Sequence, residues 1–171
     1  MENTELPRKW REENGIIYFS VTSDGTTGKG WIKRLKDKVS FIIPNAIDLL
    51  CSGEFKPTVG ITFEVAVLKG MLFEDNDRVT EKIRTEASNC KLETPNVEIA
   101  CLIRDKFTDE EIGAMHLQYI VTMHEPIFDR DNLPSLFVSA FGHYHCGIDA
   151  FYDKPNERWY PDCGFAFVNS R

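Results

Sequence analysis

The 171-residue sequence predicts an α+β fold, with a helical middle segment packed on a mainly antiparallel sheet of about five strands in a single domain, residues 1–171. Three observations carry this expectation. Aromatic side chains, which favour pleated and half-buried surfaces, number 6 in residues 1–55, 3 in residues 56–116 and 11 in residues 117–171, placing the sheet at the C-terminal end. Apolar residues recur at helical spacing through the charged middle of the chain. After Leu117 short β-like runs alternate with turn clusters, and consecutive strands joined this way pair antiparallel.

The elements follow in order. Gly15 to Thr22 (Gly-Ile-Ile-Tyr-Phe-Ser-Val-Thr) is rich in β-branched and aromatic residues and reads as a strand that can join the C-terminal sheet. The turn Ser23-Asp24-Gly25-Thr26-Thr27-Gly28 ends it, and a helix is expected from about Lys29 to Lys38. A second runs from Pro44 to Cys51, with proline in the first turn, where its missing amide is harmless, and Gly53 as the stop. In Ile61 to Leu72, residues 61, 65, 68 and 72 share a helical face and residues 61, 63, 65 and 67 share a strand face; helix is the reading taken. Val79, Ile83 and Ala87 space a helix over 75–89. Thr94 and Pro95 open another, to about Lys106, and Thr108 with Glu111 forms a capping box for a short helix ending near His116. Strands are expected at 118–124, 136–141, 144–152 and 165–168.

Composition narrows function. Hydrophobic residues at 42% and charged residues at 27% describe an ordinary globular chain. The net charge of −7 and a pI near 5.1 disfavour nucleic acid and anionic membrane as partners. The acidity sits in the middle and C-terminal stretches, while residues 1–55 are neutral and place Lys29, Lys33 and Lys36 on one basic patch. Five scattered cysteines in a chain of this size read as reduced thiols, Cys51 and Cys101 as small core residues. The N-terminal residues lack an apolar leader and no run reaches the ~18 residues of a membrane span, so a cytoplasmic location is expected.

Candidate chemistry is sparse. The turn from Gly25 to Gly30 resembles a Walker phosphate loop, and Thr26, Thr27, Gly28 and Lys29 form a candidate anion or nucleotide site. Ser23 stands where the motif's first glycine belongs, and Gly30 where its magnesium-binding hydroxyl belongs. His143 and His145 share a strand face and could offer two imidazoles to one metal ion, with His124, Glu125, Asp149 or Cys163 as further ligands. With Asp149 they look like part of the first cupin motif. Their spacing to Asp153 and Asn156 is similar to the JAMM metalloprotease motif, with Asp153 in place of its serine and Asn156 in place of its ligand aspartate. Glu98 to His116 resembles the opening of a helix-turn-helix, but strand-like residues follow where a recognition helix belongs, and the unit is acidic. The acid pairs at 74–77, 109–111 and 129–131 lie at helix starts and turns, where carboxylates cap. Six aromatics crowd residues 151–167, more than one face of a small sheet needs. Phe151, Tyr152, Arg158, Trp159 and Tyr160 are therefore candidates for a partner surface.

The strings Val67 to Arg78, Met123 to Ile127 and Gly164 to Val168 resemble stretches of small bacterial proteins with no assigned role, a likeness that implies a bacterial or mobile-element origin and supplies no chemistry. The leading expectation is a binding or regulatory module, not an enzyme. It meets a protein partner, or a second copy as a homodimer, through its aromatic C-terminal sheet, without a cofactor. The alternatives are a metal-dependent hydrolase centred on His143 and His145, and anion or nucleotide binding at the Gly25 to Gly30 turn.

Overall fold

The computed structural model describes residues 7–38, 41–141, 147–153 and 156–170. In chain order the strands and helices are β1 (Arg11–Glu13), β2 (Ile16–Asp24), α1 (Gly28–Leu35), β3 (Phe41–Ile42), α2 (Pro44–Leu50), β4 (Val59–Lys69), α3 (Thr80–Asn89), β5 (Leu92–Glu93), α4 (Ile99–Lys106), α5 (Asp109–Ala114), β6 (Tyr119–Thr122), β7 (Ile127–Phe128), β8 (Pro134–Ala140), β9 (Gly147–Tyr152) and β10 (Cys163–Asn169).

The expected helical middle on a five-stranded antiparallel sheet is corrected: the described residues build one large mixed sheet of ten strands with five helices. Its path runs β1-β2-β4-β10-β6-β8-β9-β3, with β5 beside β10 and β7 beside β8. Two pairs, β10 with β6 and β3 with β9, are parallel. The largest departure lies at Ile61 to Leu72. Those residues form most of β4, which pairs with β2 on one side and β10 on the other. The five residues 65–69 are all buried because this central strand is covered on both faces, so the two-residue alternation that marks a half-exposed strand is absent there.

The helices cover both faces of the sheet unequally. On one face Trp31 and Leu35 of α1, Leu49 and Leu50 of α2 and Ile99 and Ile103 of α4 pack against Ile17, Phe19, Val67 and Phe137. On the other, Ile83 and Ala87 of α3 pack against Leu68, Val121, Phe165 and Phe167. Local signals did set helix ends: Pro44 occupies the first turn of α2, and Thr108 with Glu111 forms the reciprocal capping box of α5. The helix expected from Thr94 begins instead at Ile99, because Glu98 turns its carboxylate to the Thr58 amide and hydroxyl and the Asn96 amide. No helix of the described residues is long and apolar enough to cross a membrane.

Candidate functional site

The five aromatic and arginine candidates of the C-terminal stretch converge. Phe151, Tyr152, Arg158, Trp159 and Tyr160, with Ala150 and Glu157, line a groove of about 330 Å3. One wall is the last half of β9, the other the loop that leads into β10. Tyr160 is 67% exposed and Tyr152 38%, whereas Phe151 and Trp159 are half-buried. Phe165 and Phe167, from the same crowded stretch, are buried in the core.

A ladder of rings ties the groove to that core. Phe151 lies 5.7 Å from Tyr119 and stacks on Trp159 at 6.4 Å with planes 20° apart; Trp159 meets Phe165 edge-on at 5.9 Å, and Phe165 meets Phe73 at 6.3 Å. Offset and edge arrangements of this kind are favoured by the ring quadrupoles. The indole is also held by polar bonds. Trp159 Nε1 donates to Thr80 Oγ1 at 3.1 Å, Thr80 Oγ1 donates to Asp153 Oδ1 at 2.8 Å, and the Trp159 amide donates to the Arg78 carbonyl at 2.8 Å.

Arg78, buried to 6% exposure, fastens the loop from beneath. Its guanidinium donates to the carbonyls of Gly70 (3.0 Å), Phe73 (3.1 Å) and Trp159 (3.4 Å) and to Asp75 Oδ1 (3.1 Å). Gly70 is required here, since a Cβ at that position would lie 2.8–3.0 Å from the carbonyl oxygens of Cys163, Tyr160 and Pro161. Sequence reasoning missed Arg78, Thr80 and Gly70. The only available signal was an arginine at the end of an acidic run, which reads equally well as solvated.

The other candidates are dispersed. Thr26, Thr27, Gly28 and Lys29 sit between β2 and α1, where three donors are already engaged: Thr27 Oγ1 accepts from Gly30 N, and Asp24 Oδ1 accepts from the Thr26 amide and hydroxyl. The Thr26 hydroxyl, then the Arg34 guanidinium at 2.6 Å, hold the Asp24 carboxyl at about 2. That turn thus carries its own anion. Gly28 makes the α1–α2 crossing, where a Cβ would fall 1.7 Å from the Leu50 carbonyl oxygen.

His143 and His145 lie outside the described residues. Of the further ligands considered with them, His124 is buried with both nitrogens committed: Nδ1 lies 2.7 Å from the Glu125 carbonyl, and Nε2 accepts from the Phe137 amide at 3.0 Å. This fixes the neutral Nδ1–H tautomer. Burial is the main cause of its pKa falling to about 4, and Arg84, whose guanidinium bonds the Met123 and His124 carbonyls, adds to the fall. Asp149 Oδ1 accepts from the Ala150 amide at 2.7 Å, and burial pushes the Cys163 thiol up to about 12. Among the described residues no three His, Cys, Asp or Glu side chains converge as a metal site requires.

Two cavities elsewhere among the described residues differ in their lining. The larger, about 510 Å3, is lined by Leu72, Phe73, Lys82 and the acids Glu74, Asp77 and Glu86, with Lys82 already paired to Asp77 at 2.6 Å. The smaller, about 310 Å3, borders His124, Glu125 and Asn96. Neither gathers aromatic faces as the groove beside β9 does. No protein-family model, no curated protein and no solved structure matches the chain.

Proposed function

We propose that this protein is a binding module that engages a protein partner, or a second copy of itself, through the aromatic groove between β9 and the loop before β10. The observation that carries the reading is the gathering of Phe151, Tyr152, Arg158, Trp159 and Tyr160 around one groove with two tyrosines exposed. Tyrosine, tryptophan and arginine are the side chains that dominate interface energetics, the two aromatics because they bury large area while losing little conformational freedom and arginine because its planar guanidinium offers several donors. The groove's inner ring is also pre-set, since Trp159 is bonded at its indole and at its backbone. A pre-formed surface lowers the ordering cost of association.

The test is site-specific photo-cross-linking in producing cells. A benzophenone amino acid replaces Tyr160, and a control replaces the exposed Glu110 on α5. A discrete adduct from position 160, either twice the chain's mass or with one other protein, is the expected result. Absence of any adduct specific to position 160, together with a monomer in sedimentation velocity across all concentrations, would overturn the proposal.

A further inference from the structure

The groove touches Ala150, Phe151 and Tyr152, three consecutive residues of one strand. Successive side chains of a strand point to opposite faces, so a groove that meets all three reaches the strand's edge as well as the face that carries Phe151 and Trp159. That edge is open. Strand β3 pairs with β9 only at Gly147 and Ile148, after which the Ile43 amide donates to the Ile148 carbonyl and the chain turns into α2. Among the described residues no strand pairs with this side of β9 beyond Ile148.

The direction of the backbone groups follows from the same bond. Because the Ile148 carbonyl points away from β8, alternation aims the backbone groups of Ala150 and Tyr152 the same way, into the groove. The Asp153 amide, in the opposite phase, donates to the Pro134 carbonyl at the end of β8. The Ala150 N–H is covered by the Asp149 carboxylate at 2.7 Å. Among the described residues, the Ala150 carbonyl and the N–H and carbonyl of Tyr152 remain as a strand-pairing face about 10 Å long, beside Trp159 and Tyr160.

Charge selects the occupant. Between Asp149 and Asp162 the sequence has four acidic residues and two basic ones, in a chain of net charge −7. Glu157 and Arg158, both in the lining, offset one another, which leaves Asp149, Asp153 and Asp162 against Lys154, a balance of −2 in the stretch that flanks the groove. Exposed tyrosine faces also attract cations. We infer that this edge takes up an extended, positively charged segment of a partner protein as an added strand beside β9. The inference rests on the binding reading above and gives it a recognition mode: main-chain hydrogen bonds supply affinity, and alternate side chains supply selectivity.

The probe is the peptide acetyl-Lys-Val-Lys-Val-Lys-amide, titrated against the full chain by calorimetry and by amide NMR. Two backbone-methylated versions accompany it, one with N-methyl groups on both valines and one with them on the second and third lysines. A Glu-Val-Glu-Val-Glu peptide is the charge control. In an added strand only alternate amides face the sheet, so one methylated version loses at least tenfold in affinity and the other binds like the parent. The acidic peptide binds at least tenfold more weakly, the parent's affinity falls severalfold between 50 and 300 mM salt, and exchange of the Tyr152 amide slows on binding. Equal binding of both methylated versions, equal binding of the acidic peptide, or no binding of the parent at 1 mM would overturn the inference. Cross-linking from position 160 that persists in the last case would leave the binding reading standing and remove only its strand-addition mode.

Discussion

Acid should unfold this protein partly through one buried imidazole. His124 stands where β8 lacks a strand partner. On that side β6 pairs with residues 138–140 of β8 and β7 with residues 134–135, and the Phe137 amide in the gap is satisfied by His124 Nε2. Protonating Nε2 would turn the acceptor into a donor facing a donor, next to the Arg84 guanidinium. The native pKa of about 4 against an unfolded value of 6.5 means that the unfolded chain binds a proton between these values and the native chain does not. Stability from this group is therefore complete above pH 6.5 and is lost as pH falls through the window. Linkage gives a loss of about 2 kcal/mol by pH 5 and about 3 kcal/mol by pH 4. Urea unfolding at pH 7, 6, 5 and 4 measures it, with His124→Gln as the reference. The variant is less stable at pH 7 yet flatter by that amount between pH 6.5 and 4, carboxylate contributions being common to both proteins. Parallel pH profiles for the two proteins, or an imidazolium at position 124 in NMR spectra at pH 5.5, would refute the reasoning.

Other substitutions separate the remaining arguments. Arg78→Lys leaves the buried carbonyls of Phe73 and Trp159 without the guanidinium fork, costing about 3 kcal/mol and lowering the melting temperature by roughly 6–12 °C. Its tryptophan emission shifts red as Trp159 loosens, which a generic core defect far from the groove would not produce. Gly28→Ala drives a Cβ into the Leu50 carbonyl and costs more than about 3 kcal/mol, whereas Gly53→Ala, with nothing within 4 Å, stays within roughly 0.5 kcal/mol in chemical denaturation. Thr108→Ala removes the acceptor for the Glu111 amide and costs about 1 kcal/mol, measured by the same denaturation.

Signals confined to a few neighbouring residues were legible in the sequence. The capping box at Thr108 and Glu111, Pro44 in the first turn of α2 and the strand through Ile16 to Thr22 each depend on contacts within one turn or one run. Signals that depend on a remote partner were not. Ile61 to Lys69 fits both periods in part, and burial of residues 65–69 on both faces of this central strand, between β2 and β10, removed the alternation that would have decided for strand. The parallel pairing of Cys163 to Ala166 with Tyr119 to Thr122 joins residues more than forty positions apart, with β8 and β9 between them, and nothing local encodes it. The groove was half legible: crowding of aromatics named its lining, but the sequence placed Arg78 among solvated acids although it is the buried clasp of the loop.

The two sides of the sheet are finished differently, and that asymmetry bears on the binding proposal. At the β1 side the outermost strand is Arg-Glu-Glu, with Arg11 paired to Glu13 and Glu64, and Glu12 to Lys69 at 2.8 Å. Charge at a short outer strand is how folded proteins discourage a further strand from adding. On the β9 side the covering strand stops after Phe41 and Ile42, and among the described residues Asp149 covers the Ala150 amide. Beyond it stand a tyrosine 38% exposed and the groove, where an open apolar edge would be an aggregation hazard if the chain had no use for it. The acidic rim restricts that hazard, because a second acidic edge is repelled while a basic segment is drawn in. Asp149→Asn tests the restriction. It keeps an acceptor beside the Ala150 amide and removes one negative charge, so acidic Glu-Val-Glu-Val-Glu should gain affinity relative to its lysine counterpart, and an unchanged ratio would show that the edge does not select by charge.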